Sequence, residues 1–184
     1  MGLGKVGFFP AHESAMAEDR ASEFENVALP HAAGLLRYAL RLAGEKARAE
    51  DLVQETLFLA WRNFHQFERG TNCKAWLFRI LTNLHYKRLR RSGQHPEVQV
   101  EEQEHTLAAP EKISASQEMR EAFARLTSEH QQVLHLAVIE GFEIREIADL
   151  LQVPQGTVMS RLSRARASLR TVLQARAMAA EGNL

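Results

Sequence analysis

Apolar positions recur at helical spacing along most of this chain, and the pattern is clearest between Gly141 and Arg170. Ile144, Ile147, Ala148 and Leu151 fall at i, i+3, i+4 and i+7, one stripe of a short helix. Gln152-Val153-Pro154 breaks that stripe, because proline disfavours helix in the residue before it and is tolerated at a helix start. Val158, Leu162, Ala165, Leu169 and Val172 then repeat at helical intervals and face inward. The opposite face carries Thr157, Ser160, Arg161, Arg164 and Ser168. Small Ala148 lets the two helices cross closely. Two helices, a tight turn and a polar outer face make a helix-turn-helix pattern, which a plain helical bundle shares.

The same periodicity predicts helices over most of the remainder. A first helical stretch runs from about Ala21 to Ala43, interrupted or entered at Pro30, with Gly44 as its stop. A second runs from about Ala47 to Phe64, with Leu52, Val53, Thr56, Leu57, Ala60 and Phe64 inward. Gly70-Thr71-Asn72 marks a loop, and a third helix follows from about Lys74 to Arg91. Only residues 97–101, EVQVE, alternate as a strand would, too briefly to seed a sheet. Residues 92–116 hold Gly93, Pro96, Pro110 and five glutamates against one lysine, a linker composition. Beyond it come Gln117 to Leu126, then a helix from about Ser128 to Glu140, where Ser128 and Gln131 fit a capping box. The fold class expected is all-α. Two small helical domains, about 26–91 and 117–176, are joined by a flexible acidic linker, with an N-terminal extension (1–25) and a C-terminal tail (177–184). As a coil such a linker spans ~25–30 Å. Fully extended it spans about 80 Å, and each domain adds its own width, so the two could reach DNA sites two or more turns apart, at ~34 Å per turn.

Charge sharpens the picture. The chain is balanced, with 23 basic and 23 acidic residues. Five arginines (161, 164, 166, 170 and 176) nevertheless lie in a stretch from 161 to 176 that has no acid. No i,i+4 pair within that helix neutralises them, so the positive charge is segregated and favours DNA. Indiscriminate coating of nucleic acid is excluded by the overall balance. The third helix, CKAWLFRILTNLHYKRLRR, also lacks acid. Its Arg79, Asn83 and Lys87 spiral beside a stripe containing Trp76, chemistry suited to holding phosphates and bases. Trp76 also fits core packing, and Arg88 to Arg91 also fit a solvated helix end. Asp51, Gln54, Glu55 and Phe58 give the second helix an acidic face with one exposed aromatic. Such a face is either solvated or a protein-docking surface.

No apolar run approaches the ~20 residues of a membrane helix, and the N-terminus lacks the apolar core of a signal peptide. Cys73 is the only cysteine, so no intrachain disulfide forms and a cytoplasmic location is expected. Near a helix start, its thiol pKa could be lowered, which keeps a redox role open. The eight histidines are scattered, with His130 and His135 on different faces, so no metal site is expected. Gly2, Gly4 and Gly7 satisfy G-x-G-x-x-G, but no strand precedes them, and no dinucleotide site is expected. No nucleophile–base motif is present. The chain reads as neither an enzyme nor a cofactor binder.

Three segments together resemble the sigma-70 family of bacterial RNA polymerase specificity subunits, in particular the short extracytoplasmic-function (group IV) members. They are AEDLVQETLFLAW (49–61), KAWLFRILTN (74–83) and GFEIREIADLLQVPQGTVMSRLSRARASL (141–169). The resemblance implies a region 2-like bundle, a linker and a region 4-like helix-turn-helix domain. By it, Asp51, Gln54 and Glu55, with Phe58 beside them, match the helix that docks a coiled coil of the largest polymerase subunit. The loop 67–74, with Asn72 and Lys74, matches the loop that captures a flipped base of the −10 element. Trp76, Arg79, Asn83, Lys87 and Arg88 belong to the helix that lies along that element. Thr157, Ser160, Arg161 and Arg164 match the recognition helix over the −35 element. Arg164 is the candidate for reading a guanine edge, and Arg161 and Arg166 for holding phosphates.

The resemblance implies an alternative sigma factor with core RNA polymerase, duplex and melted promoter DNA and an anti-sigma factor as partners, and no membrane insertion. Glu143 stands where the family often has a capping Ser or Thr, which weakens that helix start. Met159 stands where some members have a basic residue. The housekeeping members' long middle domain and fuller set of melting aromatics are missing, so well-matched promoters are expected to be required. The competing reading is a stand-alone helix-turn-helix regulator, and an adaptor that only docks proteins is a third.

Overall fold

A computed structural model describes residues 11–93 and 117–181, with side chains over 18–93 and 119–174. The alternating stretch 97–101 and nearly all of the expected linker lie outside the described residues. Eight α-helices are present among the described residues: α1 (Ala11–Ala28), α2 (Ala32–Ala43), α3 (Lys46–Arg62), α4 (Cys73–Arg91), α5 (Gln117–Ala124), α6 (Ser128–Leu134), α7 (Ile144–Leu151) and α8 (Gln155–Glu181). No strand occurs among them.

The first domain is α1 to α4. Helix α1 starts ten residues before the periodicity suggests, because its alanine-rich sequence presents few large apolar groups to mark a stripe. Its contribution to the core is nonetheless definite: Phe24 is buried and meets Trp61 and Phe64 edge-on at 5.4 and 5.2 Å. Arg20 lies over the Trp61 ring and donates to the Trp61 carbonyl at 2.9 Å. Pro30 sits in a 3-10 turn (Leu29–His31) between α1 and α2, where a missing N–H costs nothing. Gly44 ends α2 at φ +71, a left-handed conformation that favours glycine, and its N–H closes on Leu40. Along α3 the residues expected inward are buried or half-buried, with Leu52, Thr56 and Ala60 essentially inaccessible.

The second domain is α5 to α8. Thr127, one residue before the expected Ser128, caps α6 by accepting from the His130 N–H. Gln131 instead turns back to the Ala124 and Leu126 carbonyls and closes the preceding loop. The last turn of α6 widens into a π-helix (His135–Ile139), and Gly141 at φ +71 turns the chain out of it. Helix α7 ends at Gln152 in the left-handed region, and Pro154 accepts from Thr157 and Val158 to start α8. Val158, Leu162 and Ala165 are buried as the period requires. Ile144, expected on the inner stripe of α7, is 38 % exposed because it lies at the helix's first position, beyond its neighbours' cover.

The two domains do not stand apart as two tethered modules. Their buried side chains form one continuous cluster, from Phe24 and Leu35 through Phe78 to Leu136, Phe142 and Val158. At its centre Tyr38 is inaccessible, stacks on Phe78 at 5.4 Å and accepts from Gln132 Nε2 of the second domain at 2.9 Å. Phe78 in turn meets Phe142 edge-on at 5.0 Å. Helical periodicity marks which residues are buried but not which body they are buried against, so this docking has no signature in the one-dimensional pattern.

Candidate nucleic-acid interface and docking face

Helix α8 presents the predicted recognition surface outward. Ser160, Arg164 and Arg166 are exposed, and Thr157 is half-buried. Arg164 has no ion-pair partner among the described residues, so its guanidinium is available to a ligand. Arg161 differs from its expected state. Glu129 of α6 accepts from it at 2.6 Å, an acid that counting along a single helix does not find. The start of α7 is better held than expected from Glu143. The Glu143 N–H donates to Glu146 Oε2 at 2.9 Å, so an acid at the third position does the capping. Met159, at 57 % exposed, sits openly on the same outer surface of α8.

In the first domain, Arg79, Asn83 and Lys87 form an exposed line along α4 at i, i+4 and i+8. Trp76 is half-buried and packs on Phe67 at 5.1 Å, which itself stacks on Phe64 at 5.8 Å. Thus the tryptophan both closes the core and floors the 67–74 loop. Arg88 pairs with Glu55 across α3 and α4, joining one candidate DNA contact to one candidate docking residue. Asp51, Gln54 and Phe58 are exposed, Phe58 by 60 %, an aromatic standing in water beside two carboxylates. A large exposed aromatic of this kind marks a contact surface better than its acidic neighbours do.

Asn72 and Lys74, the two loop residues, are occupied. Asn72 caps α4 by accepting from the Ala75 N–H, and its amide donates to Glu146 Oε1 at 2.6 Å. Lys74 donates to the Glu140 carbonyl and lies 3.2 Å from Glu140 Oε2. Arg37 of α2 reaches the same carboxylate at 3.1 Å. Burial raises the Glu140 carboxyl, but His135, Lys74 and Arg37 outweigh it and hold its pKa below the ordinary value. The pKa of His135, whose Nε2 is 3.4 Å from Glu140 Oε1, is pushed down by its own burial, against the raising pull of Glu140. Sequence reasoning missed this cluster, because Arg37 lies 103 residues from Glu140, which His135 precedes by one turn. One local signal existed: Gly34, an isolated glycine inside a helical run, which signals a close approach.

Cys73 begins α4, as expected of a helix-start thiol. It is buried, and burial raises its pKa, overriding any lowering by the helix end. No group of three potential metal ligands occurs among the described residues. No helix among them is long and apolar enough to cross a membrane.

With this geometry in hand, comparison with known proteins identifies both halves. Residues 29–94 match the sigma-70 region 2 family model and residues 116–169 the sigma-70 region 4 model. The chain is 36% identical over 150 residues to the extracytoplasmic-function RNA polymerase sigma factor SigL of Mycobacterium tuberculosis, covering 78% of this chain and 85% of SigL. It is 35% identical over 149 residues to the sigma factor EcfG of Rhodopseudomonas palustris, covering 76% and 78% of the two chains. Among solved structures, the sigma factor RpoE of Bartonella quintana, crystallised with the anti-sigma factor NepR, superposes with a TM-score of 0.63. It shares 31% identity, covering 83% of this chain and 97% of RpoE.

Proposed function

The chain belongs to the sigma-70 family, in its extracytoplasmic-function branch, and is an alternative sigma factor directing transcription; from that premise we propose how its surfaces divide the work. The first domain, about 26–91, docks core RNA polymerase through Asp51, Gln54, Glu55 and Phe58. Its α4 line of Arg79, Asn83 and Lys87, with Arg88, Trp76 and the 67–74 loop, holds the melted −10 strand. The second domain, about 117–176, lays α8 over the −35 element, with Thr157, Ser160 and Arg164 toward base edges and Arg161 and Arg166 toward phosphates. Residues 92–116 link the two.

The observation that carries this division is the separation of unlike surfaces on one chain. An exposed aromatic ringed by acid lies on α3, and exposed cations lie on α4 and α8. Unstacking a base costs a few kcal/mol. Stacking contributes ~1–3 kcal/mol per base. Positioned side chains therefore suffice to trap opened DNA, and no covalent step is asked of this chain. The protein acts in the cytoplasm as a non-enzymatic binding subunit. An anti-sigma factor is a partner, as NepR is for the similar RpoE.

Purified core polymerase, with and without this protein, transcribing a library of genomic fragments in single-round run-off assays, tests the reading. The expected result is discrete products that need both components. Duplex DNA shifted by the protein alone, with no such products, would favour the stand-alone regulator.

A further inference from the structure

The contact between the domains is built around one carboxylate. Glu140 has only 1% of its side chain exposed, yet it belongs to the second domain and is neutralised by the first. Arg37 approaches it with Nε at 3.3 Å and Nη2 at 3.1 Å from Oε1, and Nη2 at 3.4 Å from Oε2. Lys74 Nζ lies 3.2 Å from Oε2 and spans the rings of Phe78 and Phe142, 5.6 and 5.0 Å from their centroids. Among the described residues Glu140 is the only acid paired with either cation. Without the second domain, the first is left with a fork and an ammonium converging on one empty point.

The backbone is shaped for that point as well. A methyl group on Gly34 would stand 2.9 Å from Glu140 Oε2, closer than side-chain carbons approach an oxygen. Helix α2 therefore carries a glycine, unfavourable in a helix interior, at the place where an anion presses on it. A guanidinium fork, an ammonium and a bare backbone fit two oxygens of a phosphodiester as well as they fit a carboxylate. Beside this point Asn72, whose amide could meet a base edge, is held by a second carboxylate of the same domain, Glu146.

We propose that Arg37 and Lys74, with Gly34 as floor and Asn72 alongside, form a seat for a backbone phosphate of single-stranded DNA, and that Glu140 is its internal occupant while the domains are docked. The proposal rests on the promoter-melting role given above to the first domain and adds Arg37 to that surface. It also gives the docked form a consequence. The free chain covers its own single-strand site, and the strand and Glu140 exclude each other. The strand's apparent affinity is then reduced by the fraction of molecules that are open.

The test uses the free full-length chain and a fluorescently labelled mixed-sequence single-stranded DNA 12-mer, read by anisotropy at low salt, where phosphate contacts are strongest. Glu140→Gln removes the occupant's charge, and Glu140→Ala removes the occupant itself while leaving Arg37, Lys74 and Gly34 in place. Each should bind the strand about tenfold more tightly than the parent chain. Adding Arg37→Gln to either should abolish the gain. Parent-like affinity in both single variants, or a gain that survives loss of Arg37, would each overturn the proposal. Polymerase is absent, so run-off transcription remains a separate readout. Normal transcripts without the gain defeat the seat alone, and the gain without transcripts defeats the sigma reading of the whole chain.

Discussion

Asp51→Arg combined with Glu55→Arg should eliminate co-purification of this protein with core RNA polymerase. Two carboxylates beside the exposed Phe58 ring become two cations, so attraction to a basic partner surface turns into repulsion. Like-charge juxtaposition across an interface costs several kcal/mol, so affinity should fall by at least ~100-fold. The fold should survive. Asp51 is exposed, and the Glu55–Arg88 pair lies at the surface, where such pairs contribute ~0–1 kcal/mol. Arg88→Ala is the matching control, because it breaks the same pair and leaves the carboxylates in place. Unchanged recovery of the charge-reversed protein with polymerase would remove α3 from the docking surface.

Arg164→Ala should weaken binding to the cognate −35 element by ~1–3 kcal/mol, roughly 5- to 150-fold, and leave binding to random duplex nearly unchanged. The guanidinium is exposed and has no ion-pair partner among the described residues, so a base edge meets no competitor there. Arg161→Ala should behave differently. Its guanidinium is shared with Glu129, so its loss should lower affinity for all duplexes alike and by less. Quantitative gel shifts on cognate and scrambled duplexes measure both. Equal losses on the two duplexes for Arg164→Ala would make it a phosphate contact.

The elements themselves were legible from the sequence because their signals are local. The apolar stripes of α3, α7 and α8, the stop at Gly44 and the turn before Pro154 each depend on residues within a few positions of one another. The separation of exposed faces was legible for the same reason. Arg164 stands clear on α8, and Phe58 stands clear on α3. Partners that come from elsewhere in the chain were not legible. Arg161 meets Glu129 32 residues away, Tyr38 meets Gln132 94 residues away, and Arg37 meets Glu140 103 residues away. Local pattern placed Cys73 at a helix start, but the burial that raises its thiol pKa comes from tertiary packing and had no local sign. The helix start before residue 21 was hidden by alanines, which favour helix without marking a face.

On the function proposed above, these distant partners change how the molecule works. A pair of independent modules would need only to find DNA, whereas docked domains must first part, releasing Asn72 and Lys74. Two elements lying several helical turns apart along a promoter also demand that separation. A donor and acceptor dye at Arg62 and Ser168, both exposed and on different domains, report it directly during single-round transcription. The account predicts efficient energy transfer in the free protein, and its loss when core polymerase and promoter are added and transcripts appear. Transcripts produced at undiminished transfer would contradict it.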